Sequence, residues 1–140
     1  MAVDLTTSYL GLQLKSPLVV AACPLTLTVE SLQQLERSGA AAAVLPSLFA
    51  EQIEHDEVQE ASLRDFHSES FAEAVSYVPE AARWHTGPEP YLDHIRQSKR
   101  AVSIPLIGSL NGASDGSWTR YARLIQDAGA DALELNVYMI

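Results

Sequence analysis

One phrase occurs twice in this chain. Ser38-Gly39-Ala40-Ala41-Ala42-Ala43-Val44-Leu45 and Ala128-Gly129-Ala130-Asp131-Ala132-Leu133-Glu134-Leu135 share one order: a glycine stop, a turn of small residues, an apolar run suited to a buried strand. A helical period precedes each copy, through Leu32 and Leu35 in the first and through Trp118, Tyr121, Leu124, Ile125 and Ala128 in the second. An internal α-turn-β repeat constrains the fold strongly, because helices that deliver strands in one direction build a parallel sheet. Thr28 is placed to cap the first helix, with Glu30 in its first turn, and Ser114 to Ser117 offer caps for the second.

The rest of the chain fits that rhythm. Tyr9 to Leu14, broken by Gly11, reads as a small hairpin, and Leu18 to Ala22, after Pro17, reads as a buried strand. Pro90 to Arg100 shows helical spacing through Tyr91, Leu92, Ile95 and Ser98, and Ile104 to Leu110 reads as a further strand with Pro105 at its start. Strand and helix thus alternate four times, which allows a doubly wound sheet or a barrel. No GxGxxG fingerprint follows the first strand, so the expected fold class is α/β, a partial (β/α)8 TIM barrel. It comprises about the first four β/α units behind an N-terminal hairpin, as one domain over residues 1–140, because a complete barrel takes roughly 250 residues. The stretch from Phe49 to Pro90 breaks the rhythm. Glu51, Glu54, Asp56, Glu57 and Glu60 predict a helix with an acidic outer face, and the stretch as a whole predicts an insertion or lid over the barrel mouth.

Bulk properties narrow the function classes. Hydrophobic residues make up 47% and charged residues 19%, a globular balance, and no apolar run nears the roughly 20 residues that span a bilayer. The first residues lack a basic, apolar leader, so a cytoplasmic location is expected. A formal charge of -9 argues against nucleic acid as a partner. Cys23, the single cysteine, reads as a buried, packed thiol among Val20, Ala21 and Ala22. His55 and Glu51 are an i,i+4 pair on the acidic helix and read as solvated; His67, His85 and His94 share no ligand spacing, so no metal is expected.

In a barrel the carboxyl ends of the strands face the ligand. That topology selects Ala21, Ala22 and Cys23 after the first strand, Pro46 and Ser47 after the second, Ser109 and Asn111 after the third, and Asn136 to Met139 after the fourth. Ala21 and Ala22 would let a flat ring lie on the backbone, or else are close-packed core. The Asn136 amide suits a heterocycle or a substrate carboxylate. Glu134 lies two residues before Asn136 on the same strand and so shares its face. It either bonds a neighbouring layer or meets the ligand.

Ser8 to Ala22, with its Tyr-Leu-Gly-Leu-Gln-Leu-Lys-Ser-Pro-Leu-Val-Val-Ala-Ala core, resembles the opening of dihydroorotate dehydrogenases, and Asp127 to Asn136 is similar to that family's helix and fourth strand. Leu48 to Glu54 most resembles the dihydroorotate dehydrogenase-like branch. The resemblance implies hydride transfer from a dihydropyrimidine to FMN. Ala21, Ala22, Cys23 and Ser47 would contact the flavin, and Asn136 both flavin and substrate. The departures are specific. Pro46 stands where cytosolic members carry a flavin-binding lysine, the Asn-Ser-Met-Gly-Leu-Pro-Asn loop has no counterpart, and Met139 occupies the expected position of the catalytic base. These departures leave the catalytic residue unassigned and predict a chain inactive as it stands. The alternative is a noncatalytic half-barrel module that self-associates or binds a partner, and the expected partners beside a small-molecule substrate are a second copy, as a homodimer, or a missing C-terminal half.

Overall fold

The computed structural model describes residues 3–50, 53, 87–112 and 117–137. The hairpin comes first: β1 (Thr7–Tyr9) and β2 (Leu12–Leu14) pair antiparallel. Leu10 and Gly11 turn between them with φ of 53° and 77°. Two successive positive φ values give the twist that a two-residue hairpin needs. Then follow β3 (Val19–Val20), a single 3-10 turn (Pro24–Thr26), α1 (Val29–Arg37) and β4 (Ala42–Phe49). After them come α2 (Glu89–Ala101), β5 (Leu106–Gly112), α3 (Ser117–Asp127) and β6 (Ala132–Val137).

The sheet order decides between the two candidate architectures. Strands β3-β4-β5-β6 are all parallel and lie side by side in chain order. A doubly wound sheet reverses its strand order at a switch point, which sends helices to both faces. A monotonic order with right-handed crossovers keeps the helices on one face and curls the sheet toward closure. The core agrees, since Leu32, Leu92, Ile95, Tyr121 and Ile125 from the helices pack with Ala43, Leu45, Leu106 and Leu110 from one face of the sheet. The chain is therefore an α/β partial barrel, and the other sheet face is its interior. The hairpin packs on that interior at the amino ends of the strands, where Leu12 and Leu14 meet Val19, Ala41 and Ala42. The sequence predicts the hairpin, and the structure places it at the floor of the sheet.

The two copies of the repeat end their helices identically. Gly39 and Gly129 have φ of 105° and 102°. Gly39 N–H donates to the Glu36 carbonyl and Ala40 N–H to the Leu35 carbonyl; Gly129 and Ala130 do the same to Gln126 and Ile125. This is the Schellman closure, whose left-handed residue favours glycine. Thr28 caps α1 by accepting from Ser31 N–H, as expected.

Three expectations need correction or fall outside the description. The first barrel strand is only Val19–Val20, with Leu18, Ala21 and Ala22 exposed rather than buried, because β3 lies at the outer edge of the described sheet. Cys23 is half-buried, not an interior thiol, since it precedes the 3-10 turn instead of extending the strand. Of the predicted insertion, only Phe49, Ala50, Ile53 and the segment from residue 87 are described, and Ala50 and Ile53 are helical and join the core. The acidic helix with Glu51 and His55, Met139 and the Ser114 cap lie outside the described residues. Among the described residues, no helix is long and apolar enough to cross a membrane.

Candidate functional site

Alternation along β4 begins with Ala43 and Leu45 toward the helices and Ala42 and Val44 toward the interior. Uninterrupted, that pattern would turn Ser47 toward the helices. The register between β4 and β5 slips by one residue between Val44 and Ser47, which marks a β-bulge at Leu45-Pro46. Pro46 lacks an N–H to contribute to a ladder and so suits the bulge. Past the bulge the parity is reversed: Ser47 pairs in register with Ser109 and faces the interior, while Leu48 packs on the helix-side core. A bulge that re-aims one side chain is a familiar device beside ligand sites.

The bulge also interrupts the ladder along β5, and α2 repairs it. Ser109 N–H donates to the Tyr91 hydroxyl at 3.0 Å, and that hydroxyl donates to the Ser109 carbonyl at 3.4 Å. Burial pushes the Tyr91 pKa up to about 12, with a lesser contribution from the nearby Glu134 carboxylate, against the lowering effect of the Ser109 backbone bond.

Inside, four side chains from three strands form one polar cluster. Ser47 Oγ and Ser109 Oγ are 2.8 Å apart, Ser109 Oγ donates to Glu134 Oε1 at 2.9 Å, and Asn136 Nδ2 donates to Ser109 Oγ at 3.2 Å and Glu134 Oε1 at 3.4 Å. Ser109 is fully buried beneath them. In the next layer toward the carboxyl ends, Phe49, Asn111 and Asn136 are register neighbours, and the buried Asn111 Oδ1 has no hydrogen-bond partner.

The loop after β3 is held separately. Thr26 N–H and Oγ1 both bind the Cys23 carbonyl, at 3.0 and 2.9 Å, and the Thr26 carbonyl lies 2.9 Å from His94 Nε2 on α2. Ala21, Ala22 and Cys23 therefore sit in a tethered turn at the carboxyl end of β3, beside the strand that carries Ser47.

Of the residues singled out from sequence, the structure joins Ser47 and Asn136 through Ser109 and Glu134. It holds Ala21, Ala22 and Cys23 on the adjacent loop, with no described hydrogen bond to that cluster. Sequence reasoning gave Ser109 and Glu134 no firm role, although their register, two residues before Asn111 and Asn136, was available. Tyr91 and Thr26 were missed as supports, because only the folded chain shows what they touch. Among the described residues, no three His, Cys, Asp or Glu side chains group as metal ligands. A groove of about 450 Å3 lies elsewhere, between α3 and β6, lined by Ala122, Ile125, Ala130 and Leu133 among others. It belongs to the helix side of the sheet and holds none of the polar cluster.

No protein-family model matches the chain. It is 29% identical over 134 residues to the catalytic subunit of dihydroorotate dehydrogenase B (NAD(+)) from Thermoplasma acidophilum, over 96% of this chain and 41% of that protein. It therefore spans about two-fifths of that relative's length. An IMP dehydrogenase/GMP reductase-like protein from Corynebacterium glutamicum shares the fold over 99% of this chain and 36% of its own, with a TM-score of 0.53 at 16% identity. Over this aligned length the chain is similar to a dihydroorotate dehydrogenase catalytic subunit.

Proposed function

We propose that this chain contributes to an FMN-dependent oxidoreductase of the dihydroorotate dehydrogenase type, acting on a dihydropyrimidine-like CH–CH substrate. The observation that supports it best is the gathering of Ser47, Ser109, Glu134 and Asn136 on the interior face of three parallel strands, from mid-strand toward the carboxyl ends, which are the ligand-facing end of a barrel. Bound there, the flavin would accept the hydride. Ala21, Ala22 and Cys23 would lie along one side of its ring, Ser47 and Asn136 would meet its polar edge, and Asn136 would reach the substrate. The unpartnered Asn111 Oδ1 fits this use, since a buried acceptor left unmade costs about 1–3 kcal/mol and a heterocycle N–H can relieve it. A cytoplasmic location and a small-molecule partner accompany the reading.

Titration of the purified chain with FMN, followed by flavin fluorescence, tests the proposal. We expect saturable quenching, weakened about five- to tenfold by Ser47→Ala or Asn136→Ala, the loss of one hydrogen bond. Absence of quenching, or quenching indifferent to both substitutions, would refute the proposal.

A second reading is a noncatalytic half-barrel module that self-associates. It is favoured by the exposed Leu18 beside β3 and by Leu135 and Val137 on β6, at 64%, 36% and 64% accessibility along the outer strands. Sedimentation of the same sample separates the two, since a flavin-free dimer supports the module.

A further inference from the structure

Among residues 21–28 only Thr26 is buried, and Leu25 and Leu27 beside it stay exposed, so apolar packing contributes little to holding the loop after β3. Hydrogen bonds at Thr26 hold it instead. Its N–H and Oγ1 close the turn on the Cys23 carbonyl. Its own carbonyl lies 2.9 Å from His94 Nε2, and among the described hydrogen bonds of residues 23–27 this is the one that reaches another element. A carbonyl only accepts, so His94 Nε2 must carry a hydrogen and donate. In the neutral ring Nδ1 is then bare, and the hydroxyl of the buried Ser98 lies 3.5 Å from it, one turn along α2.

We infer that His94 is a positioning residue for the candidate site: its Nε2–H latches Thr26, and through Thr26 the loop that carries Ala21, Ala22 and Cys23, onto α2. Tyr91 lies three residues earlier on the same helix and bonds both backbone groups of Ser109. Residues three apart share a helix face, so one face of α2 sets two walls of the site, the loop after β3 and the interrupted stretch of β5. The inference rests on the flavin-linked reading for what the loop would touch, while the latch itself rests on the bonds at Thr26.

The test uses the full chain and the rate at which iodoacetamide alkylates Cys23, its single cysteine, half-buried in the latched loop. His94→Leu should raise that rate about tenfold, the worth of one hydrogen bond between closed and open loop. His94→Gln places an amide N–H close to the position of Nε2 and should stay within about twofold of the parent chain. His94→Asn, whose amide reaches only as far as Nδ1, should behave like His94→Leu. Gly129→Ala lowers stability at the distant turn before β6 and should leave the Cys23 rate within about twofold. Nitrogen-15 spectra of the parent chain should show the neutral His94 ring with its hydrogen on Nε2. In titrations with FMN, His94→Leu should bind about fivefold more weakly than the parent and His94→Gln should match it.

A Cys23 rate unmoved by His94→Leu, a His94→Gln chain as reactive as His94→Leu, or an equal rise in Gly129→Ala overturns the inference. So does a neutral His94 ring protonated on Nδ1, a result that needs no variant to fold. If the parent chain binds FMN and His94→Leu binds it as tightly, the positioning role is overturned while the flavin-linked reading stands. Release of Cys23 in His94→Leu and His94→Asn but not in His94→Gln, in a chain that binds no FMN, upholds the latch and removes the flavin-linked reading.

Discussion

Among the described glycines, Gly108 leaves the least room for a side chain. A Cβ built there would stand 2.4 Å from Ile125 Cγ2, far inside contact distance. Gly108→Ala is expected to cost about 1–3 kcal/mol, the usual range for overpacking a filled core, and chemical denaturation would measure it. Adding Ile125→Ala should recover part of that loss, since the two positions share one space. Tyr91 supplies a second single-residue test. Tyr91→Phe keeps the ring and strips Ser109 of both backbone partners, so a loss of about 1–3 kcal/mol is expected in the same measurement. The sign of its pH dependence follows from the raised pKa. The folded state holds the phenol proton to about 12, while the unfolded chain releases it near 10, so the stabilisation is complete below 10 and is lost as pH rises toward 12. Tyr91→Phe should flatten the alkaline limb of the stability profile over that window.

At the scale of elements, the two Schellman turns and the bulge in β4 are the devices that set the register. Gly39 and Gly129 hold φ near 105° and 102°; a Cβ would meet open space at Gly39 and only ordinary contact with Lys99 Cγ, at 3.9 Å, at Gly129, so the cost of Ala is conformational rather than steric. Each substitution should lower stability by about 1 kcal/mol, read as a shift in thermal midpoint, and the pair should be additive because the turns share no partners. The clamp at the floor of the sheet acts through charge. Glu36 on α1 accepts from Ser103 N–H and Oγ, and those bonds hold its carboxyl below the ordinary range. A lowered folded pKa contributes stability that is present above the unfolded value and lost as pH falls through the folded one. Glu36→Gln is therefore expected to make acid unfolding less steep, with only a small change near neutrality because the group is largely solvent-screened.

For the whole molecule, the monotonic parallel sheet with its helices packed on one face makes a partial barrel, and the interior cluster runs from mid-strand toward the end where a barrel keeps its chemistry. Much of this was legible in the sequence. Two identical glycine stops followed by apolar runs announce helices delivering parallel strands, and the period-two rule places Glu134 and Asn136 on one face without coordinates. These are local properties of backbone and hydrophobic spacing, so one sequence carries them. Other features had no local signal. Ser47 reaches the interior only because β4 slips by one residue against β5, and a bulge is a relation between two strands rather than a property of either. The edge position of β3 exposes Ala21 and Ala22, although their composition reads as core. The sequence by itself determined the kinds of element and which residues share a strand face. Tertiary structure alone decided the register and the partner of each polar atom in the cluster, because those depend on atoms brought together from distant parts of the chain.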